Sequence, residues 1–490
     1  MSPTEQPKHP HLRATLILAC LAQFMVVLDV SVVNVALPAI RRALHFTESD
    51  LQWVVNAYTV TFAGFLLLGG RAADLMGRRR VFASGLVLFA AASLGGGLSN
   101  DQTVLIIMRL MQGLGGAVVA PASLSIITST FTEPRERNRA VGMWGAMGGA
   151  GGAAGALLGG VLTDLLSWRW ILFINVPIGL IAAVVASRMI AEGRNPHAAR
   201  GFDLSGALSA TIGLSLLVLG IVRTDSTGWG NGTTIAFLLA GVALLAVFVA
   251  IEGRFAKAPL VPLRLFSSRS LTTGNLIMML VGGSTFAMWF FFSLYLQQVR
   301  GYSPLHAGLI FLPMTLSIVV FSTVASRITL RAGARRLLVL GMLGLSAGML
   351  LFAQLNTTGS YLGDMLAPSL ITSIAMPFAF IPSTISATAG VARHEAGLAS
   401  GVINTSRMFG GALGLAILAT LASSQTRSDL RHPTAEVHTM GQALVNGFHL
   451  AFLIGAGMAA AGALIAAVGM PRLKSPAPES PKSQPVAVEV

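Results

Sequence analysis

The chain has 490 residues, 54% of them hydrophobic and only 11% charged, with a formal net charge of +14 and a mean hydropathy of +0.73. Soluble domains carry about 25% charged residues, so this composition excludes a soluble globular protein and a disordered chain alike. The single cysteine, Cys20, excludes an intrachain disulfide and reads as a small apolar helix residue.

A bilayer core takes about 20 consecutive apolar residues per helix. In chain order the sequence predicts 14 such spans, near 14–37, 50–70, 80–98, 103–127, 140–163, 170–190, 204–222, 233–251, 270–297, 305–326, 336–355, 361–388, 397–422 and 447–469. The first follows Lys8 and Arg13. It is too long for a signal-peptide core and carries Asp29, so it reads as a retained span. With the N-terminus cytoplasmic, 24 of the 33 Lys and Arg fall in cytoplasmic segments, 7 in outer loops and two, Arg109 and Arg407, inside spans. This positive-inside bias predicts that both termini are cytoplasmic. It also accounts for a pI near 11.3 without a nucleic-acid partner. The tail 471–490, rich in Pro, Ser and Lys, reads as disordered.

A shift of 256 residues aligns Arg71 with Arg327, Gly77 with Gly333, Arg79 with Arg335 and Arg80 with Arg336. It also aligns Pro121 with Pro377, Arg137 with Arg393, Ala140 with Ala396, Gly145 with Gly401 and Gly155 with Gly411. The shift spans eight helices, an even number, so the two copies share one orientation, as parallel transporter repeats do. Twelve spans form the two copies, and spans 7 and 8 are left between them. The predicted organisation is a cytoplasmic segment 1–13, a six-helix bundle 14–190, an inserted pair with linkers 191–269, a second six-helix bundle 270–470, and the tail 471–490. The copies differ in charge: Asp29 faces Thr285, Asp74 faces Leu330 and Arg109 faces Met365.

Nineteen acidic residues are present, and Asp29 stands out as the one well inside a span. It lies about 7 residues from the outer end of span 1, roughly 10 Å deep, and Arg109 has nearly the same depth in span 4. A charge inside the membrane faces a partner or a wet cavity, so the two can pair. Burial favours the neutral carboxyl and a neighbouring arginine the charged one, which makes Asp29 a candidate proton switch and Arg109 its electrostatic support. A static ion pair is the competing reading. Asp364, near the outer end of span 12, reads as a solvated helix-end residue.

The loop Gly70–Arg80, GRAADLMGRRR, combines a turn glycine, Gly77, with Asp74, Arg78 and Arg79. It suggests a latch between helix ends that takes part in gating. Gly151, Gly155 and Gly159 lie four apart in span 5, followed by Gly160. That stripe permits close helix approach, for packing or for sliding between the two halves. Gln23, Asn34, Asn56, Gln112 and Asn404, with Trp289 and Phe292 from the run 288–292, are candidates for lining a substrate cavity. Aromatic and Met surfaces suit apolar or cationic guests.

Enzyme signals are missing. No Gly-Lys pair exists to make a P-loop, and His394-Glu395 lacks the second histidine of a zinc protease. Gly344–Gly348 matches G-x-S-x-G inside a span rather than at a strand-to-helix elbow. The nine histidines form no ligand cluster, so no metal and no cofactor are expected.

These residues resemble the major facilitator superfamily, most of all its 14-span drug:proton antiporters, over about residues 14–470. Leu28–Pro38 (LDVSVVNVALP) resembles that family's span-1 signature, with Asp29 at the acidic position. Gly70–Arg80 resembles the superfamily's loop 2–3 motif. Met108–Gly113 is similar to its span-4 motif, with Arg109 as the basic residue. Trp168–Gly179 and Gly301–Pro313 are further family-like stretches. Ala156 stands where the antiporter motif of span 5 usually has proline. The resemblance implies an all-α major facilitator fold with two six-helix bundles and two inserted central helices. It implies a proton-gradient-driven exporter of small apolar or cationic compounds, monomeric in the inner membrane. A dedicated exporter of one metabolite, antibiotic or siderophore is the alternative within transporters. A channel or lipid-handling membrane protein is the alternative outside them.

Overall fold

The computed structural model describes residues 12–131, 133–193, 203–256, 259–389, 396–432 and 439–471. The N-terminal segment before residue 12, the tail beyond 471, and Arg393, His394 and Glu395 lie outside the described residues.

Fourteen helices are long and apolar enough to cross a membrane. They are α1 (Leu12–Leu44), α2 (Glu48–Met76), α3 (Arg78–Gly97), α4 (Gln102–Thr130), α5 (Arg135–Leu165), α6 (Trp170–Met189), α7 (Leu204–Thr224), α8 (Gly232–Phe255), α9 (Arg269–Val299), α10 (Pro304–Thr329), α11 (Ala334–Phe352), α12 (Tyr361–Ser386), α13 (Leu398–Arg431) and α14 (Met440–Gly469). No strand occurs among the described residues, as expected where only helices or closed barrels satisfy the backbone in lipid. The helix starts are set locally. Asp101 accepts from Val104 N at 3.0 Å to cap α4, and Asp203 accepts from Gly206 N at 2.7 Å to cap α7. Thr439 and Gln442 form a capping box on α14.

The first helix is longer than the sequence predicts. It continues through Pro38 to Leu44, so Asp29 lies near its middle rather than a short way from its end. Proline donates no N–H to the carbonyl four residues back, which leaves Asn34 O without its helical donor. Ser293 Oγ of α9 donates to that oxygen at 2.5 Å, so a contact across the molecule supplies what the helix lacks.

The packing repeats with the 256-residue shift. In the first half α1 packs on α5 and α6, α2 and α3 pack on α4, and α3 packs on α6. In the second half α9 packs on α13 and α14, α10 and α11 pack on α12, and α11 packs on α14. Between the halves α5 packs on α10 and α2 on α13, again the same pairing with the halves exchanged. The backbone carries the repeat too. His45 (φ 56°) matches Gly301 (φ 66°), and Gly77 (φ 113°) matches Gly333 (φ 86°). These positive-φ residues turn the chain between helices at equivalent corners.

The α7–α8 pair breaks this symmetry. Helix α7 lies on the seam between α2 and α13, with Leu214, Val218 and Ile221 buried beside Val60, Ala412 and Ala416. Thr420 Oγ1 donates to Ile221 O at 3.4 Å. Helix α8 packs on α7 at the crossing of Gly213 and Gly241 and otherwise exposes apolar residues such as Leu239 and Val242, as a lipid-facing helix does.

Candidate functional site

Asp29 is fully buried in the first half, and Arg109 is 2% exposed. Arg109 Nη1 donates to Asp29 Oδ2 at 2.6 Å and to Gln112 Oε1 at 2.7 Å. Arg109 Nε donates to Val54 O of α2 at 2.9 Å. The guanidinium lies 4.6 Å from the ring centroid of Tyr58, within cation–π range. The other carboxylate oxygen, Asp29 Oδ1, accepts from Gln112 Nε2 at 2.6 Å and from Asn175 Nδ2 at 2.9 Å. Gln112 Nε2 also donates to Ser93 Oγ at 2.7 Å. Helices α4 and α6 therefore meet the α1 carboxylate directly, and α2 and α3 join the same shell through Arg109 and Gln112.

Sequence spacing brings Asp29 and Arg109 together, and the structure adds the rest of the shell. Ser93 and Asn175 are polar residues within predicted spans, which was the available signal. Asn175 also falls inside the family-like stretch Trp168–Gly179. With three donors on its two oxygens, Asp29 has the surroundings of an ionised, acceptor-only carboxylate. Two buried atoms in the same shell, Asn175 Oδ1 and Tyr58 Oη, have no hydrogen-bond partner.

The remaining cavity candidates are dispersed. Gln23 lies over Gly148 and keeps its buried Oε1 unpartnered. Asn34 Nδ2 donates back to Val30 O at 2.9 Å, and Asn56 Nδ2 donates to Gln52 Oε1 at 3.5 Å. Trp289 stacks on Phe311 with ring centroids 5.0 Å apart. Phe292 is fully buried between Phe311 and Phe352 and belongs to the core. Asn404 Oδ1 accepts from its neighbour on α13, Arg407, through Nε at 3.3 Å and Nη2 at 3.1 Å.

The loop Gly70–Arg80 ties α2, α3, α4 and α6 together at one end of the molecule, here termed the motif end. Asp74 Oδ1 pairs with Arg78 Nη2 at 3.3 Å and accepts from Ser125 Oγ at 3.4 Å. Gly70 lies against Pro121. Arg78 N donates to Gly193 O at 3.0 Å. Arg79 and Arg80 each reach Glu192 at 3.5 Å. Glu192, beyond the sixth span, is a partner the sequence did not single out. Gly77 has a positive φ and borders the Glu192 carboxylate, so a side chain there is strained and displaces that carboxylate. Arg71 Nη1 donates to Pro259 O of the linker at 3.4 Å.

At the opposite end the halves are sewn together. Besides Ser293 on Asn34 O, Gln297 Nε2 donates to Val35 O at 2.7 Å, and Arg41 Nη1 donates to Gln298 Oε1 at 2.7 Å. Both glutamines ride on a wide π turn, Tyr295–Val299, that ends α9. The glycine stripe of α5 divides its faces. Gly151, Gly155 and Gly159 meet the backbone of α1 at Phe24, Leu28 and Val32, whereas Gly160 meets Pro304 and Leu305 of α10. Toward the motif end, Gly142 and Gly145 border open space.

Three comparisons with known proteins bear on this site. Residues 19–415 match the Major Facilitator Superfamily. The cephamycin export protein CmcT of Amycolatopsis lactamdurans is 44% identical over 413 residues, covering 84% of this chain and 85% of that protein. The puromycin resistance protein pur8 of Streptomyces alboniger is 38% identical, covering 92% and 90%. The multidrug resistance protein Stp of Mycobacterium tuberculosis is 33% identical, covering 84% and 76%. Among solved structures, a bacterial homologue of the human lysosomal transporter Spinster in an inward-facing, unoccupied conformation superposes with a TM-score of 0.68 at 15% identity, covering 94% and 98%. The D-xylose–proton symporter superposes with a TM-score of 0.64 at 14% identity, covering 94% and 98%. At such identities the structural likeness speaks for the fold.

Proposed function

The chain belongs to the major facilitator superfamily, and from that premise we propose that it is a proton-coupled exporter of small drug-like compounds. Export is supported by relatives named for antibiotic export and resistance that cover most of both chains. Coupling is carried by one observation: a carboxylate fully buried at mid-helix, held by three donors from three side chains. The proposed domain boundaries are those drawn from the repeat, with one monomer as the working unit.

The arrangement also implies a route for the proton. A protonated Asp29 is a donor and needs an acceptor. Rotation of the Asn175 amide presents its unpartnered Oδ1 and withdraws its Nδ2. Arg109 is then freed from the neutralised carboxyl and keeps Val54 O and the Tyr58 ring. The gain or loss of one proton changes which helices the shell holds together. That change supplies the differential stability a conformational switch requires. With the motif end cytoplasmic and both termini inside, the sewn end is periplasmic, and this structure is closed to the outside. Export then requires the contacts of Asn34, Val35 and Arg41 to open.

The test is uptake of ethidium and a small dye panel into inside-out vesicles under an imposed pH gradient. Gradient-dependent uptake by the wild type that Asp29→Asn abolishes at equal expression is the expected result. Uptake unchanged by the substitution removes Asp29 as the coupling residue.

A further inference from the structure

Arg407 is the second arginine inside a span, and no acidic side chain among the described residues pairs with it. Its protein hydrogen bonds go to one neutral acceptor, Asn404 Oδ1, through Nε and Nη2. Nη1 takes no protein partner and is not enclosed. Two aromatic faces flank the guanidinium, Phe286 of α9 at 5.8 Å and Phe380 of α12 at 5.6 Å from ring centroid to Cζ.

The backbone that carries it is fixed. Gly282 of α9 abuts Arg407 O, and Gly410 abuts the backbone of Met279. A Cβ on either glycine has no room, so α9 and α13 are locked at this crossing. By the 256-residue shift Arg407 occupies the place of Gly151, which in the first half rests on Phe24 and Leu28, beside Asp29. The two halves thus present unlike chemistry at related depth. The first holds a compensated Asp29–Arg109 pair, and the second holds a fixed cation with no acidic partner among the described residues. Arginine does not shed its proton at accessible pH, and a charge within a span faces a partner or a wet cavity; Arg407 is half-buried. A permanent cation with Nε and Nη2 engaged by one neutral acceptor, Nη1 open, and apolar rings on two sides is complementary to a planar oxyanion attached to an apolar body.

We propose that Arg407, oriented by Asn404, binds the anionic group of the substrate, so that the exported compounds include small carboxylates with an apolar or aromatic body. Phe286 and Phe380 provide the apolar walls of that subsite. The proposal rests on the exporter reading and changes the substrate class expected from the run 288–292. Met288, Phe290, Phe291 and Phe292 are all buried in the core, so four of the five residues of that run are taken up by packing.

Two measurements separate this inference from the exporter reading. Binding of dansyl-phenylalanine and of its uncharged amide to the purified full-length protein is followed by fluorescence, in wild type, Arg407→Lys and Arg407→Gln. Transport of carboxyfluorescein and of ethidium is followed in inside-out vesicles of the same three proteins. Wild type is expected to bind the acid at least about tenfold more tightly than the amide, the worth of one charge-assisted contact. Arg407→Gln is expected to erase that preference and Arg407→Lys to retain part of it. Carboxyfluorescein transport should fall with Arg407→Gln while ethidium transport persists. Acid and amide bound alike by wild type, or both dyes lost together in Arg407→Gln, overturns the anionic subsite and leaves an exporter. Arg407-dependent binding of the acid with no transport of either dye keeps the subsite and counts against the exporter reading.

Discussion

Asp29 is satisfied in its present state by Arg109, Gln112 and Asn175, and each donor does a different job. Arg109 supplies the countercharge. Its replacement alone, Arg109→Ala, leaves a buried carboxylate uncompensated and is expected to cost about 3–5 kcal/mol. Asp29→Asn with Arg109→Gln replaces the ion pair by neutral partners. That double variant should recover most of the thermal stability in detergent but none of the gradient-driven transport. Recovery of both together counts against a coupling role. Asn175→Leu leaves the ion pair intact and removes the amide that the proton route employs. Its transport is expected to change in pH dependence more than in maximal rate, and an unchanged pH profile removes Asn175 from the route.

At the scale of elements, the glycines of α5 show that one stripe serves two contacts. A Cβ at Gly155 falls 2.6 Å from Ser31 Cβ and 2.8 Å from Leu28 O, whereas at Gly152 it meets nothing within 4 Å. Gly155→Leu should therefore force α1 from α5, lowering stability by about 1–3 kcal/mol as overpacking does and displacing Asp29 with its helix. Gly152→Ala should be neutral or raise stability by about 0.5–1 kcal/mol, since alanine limits the unfolded chain more than glycine. Melting of the two variants in detergent distinguishes them, and equal effects refute the assigned faces. Ala156 keeps α5 unbroken and places its carbonyl against Gly308 of α10. The same helix thus holds its own half at Gly155 and Gly159 and the other half at Ala156 and Gly160.

Over the whole molecule, a symmetric scaffold carries asymmetric chemistry. The seams α5–α10 and α2–α13 are equivalent by the repeat, but α7 covers only the second. Rocking about these seams must open the sewn end if the protein alternates. A short thiol cross-linker between Arg41→Cys and Gln298→Cys, in a Cys20→Ala background, is expected to hold that end closed. Transport should stop, and a cleavable reagent should restore it on reduction. Full transport with the link in place rejects opening at that end.

Hydropathy runs and charge bias were enough to place fourteen spans, because a bilayer imposes length and apolarity on each one separately. The repeat was legible for a related reason: glycine at a positive-φ corner leaves its identity in the chain, as Gly77 and Gly333 do. Asp29 and Arg109 were legible because charge inside a span is costly enough to be conspicuous. The sequence did not contain the third dimension of those charges. Asn175 became a partner of Asp29, and Ser93 a partner of Gln112, only when helices far apart in the chain packed together, and Glu192 became the anchor of the motif loop only when α6 ended beside it. The run 288–292 looked like a binding surface, and packing turned most of it into core. Arg407 was visible as a charge within a span, but that it pairs with no acidic side chain among the described residues is a property of everything around it. Local rules along one helix are written in the chain; which side chains share a space across helices is decided by packing alone.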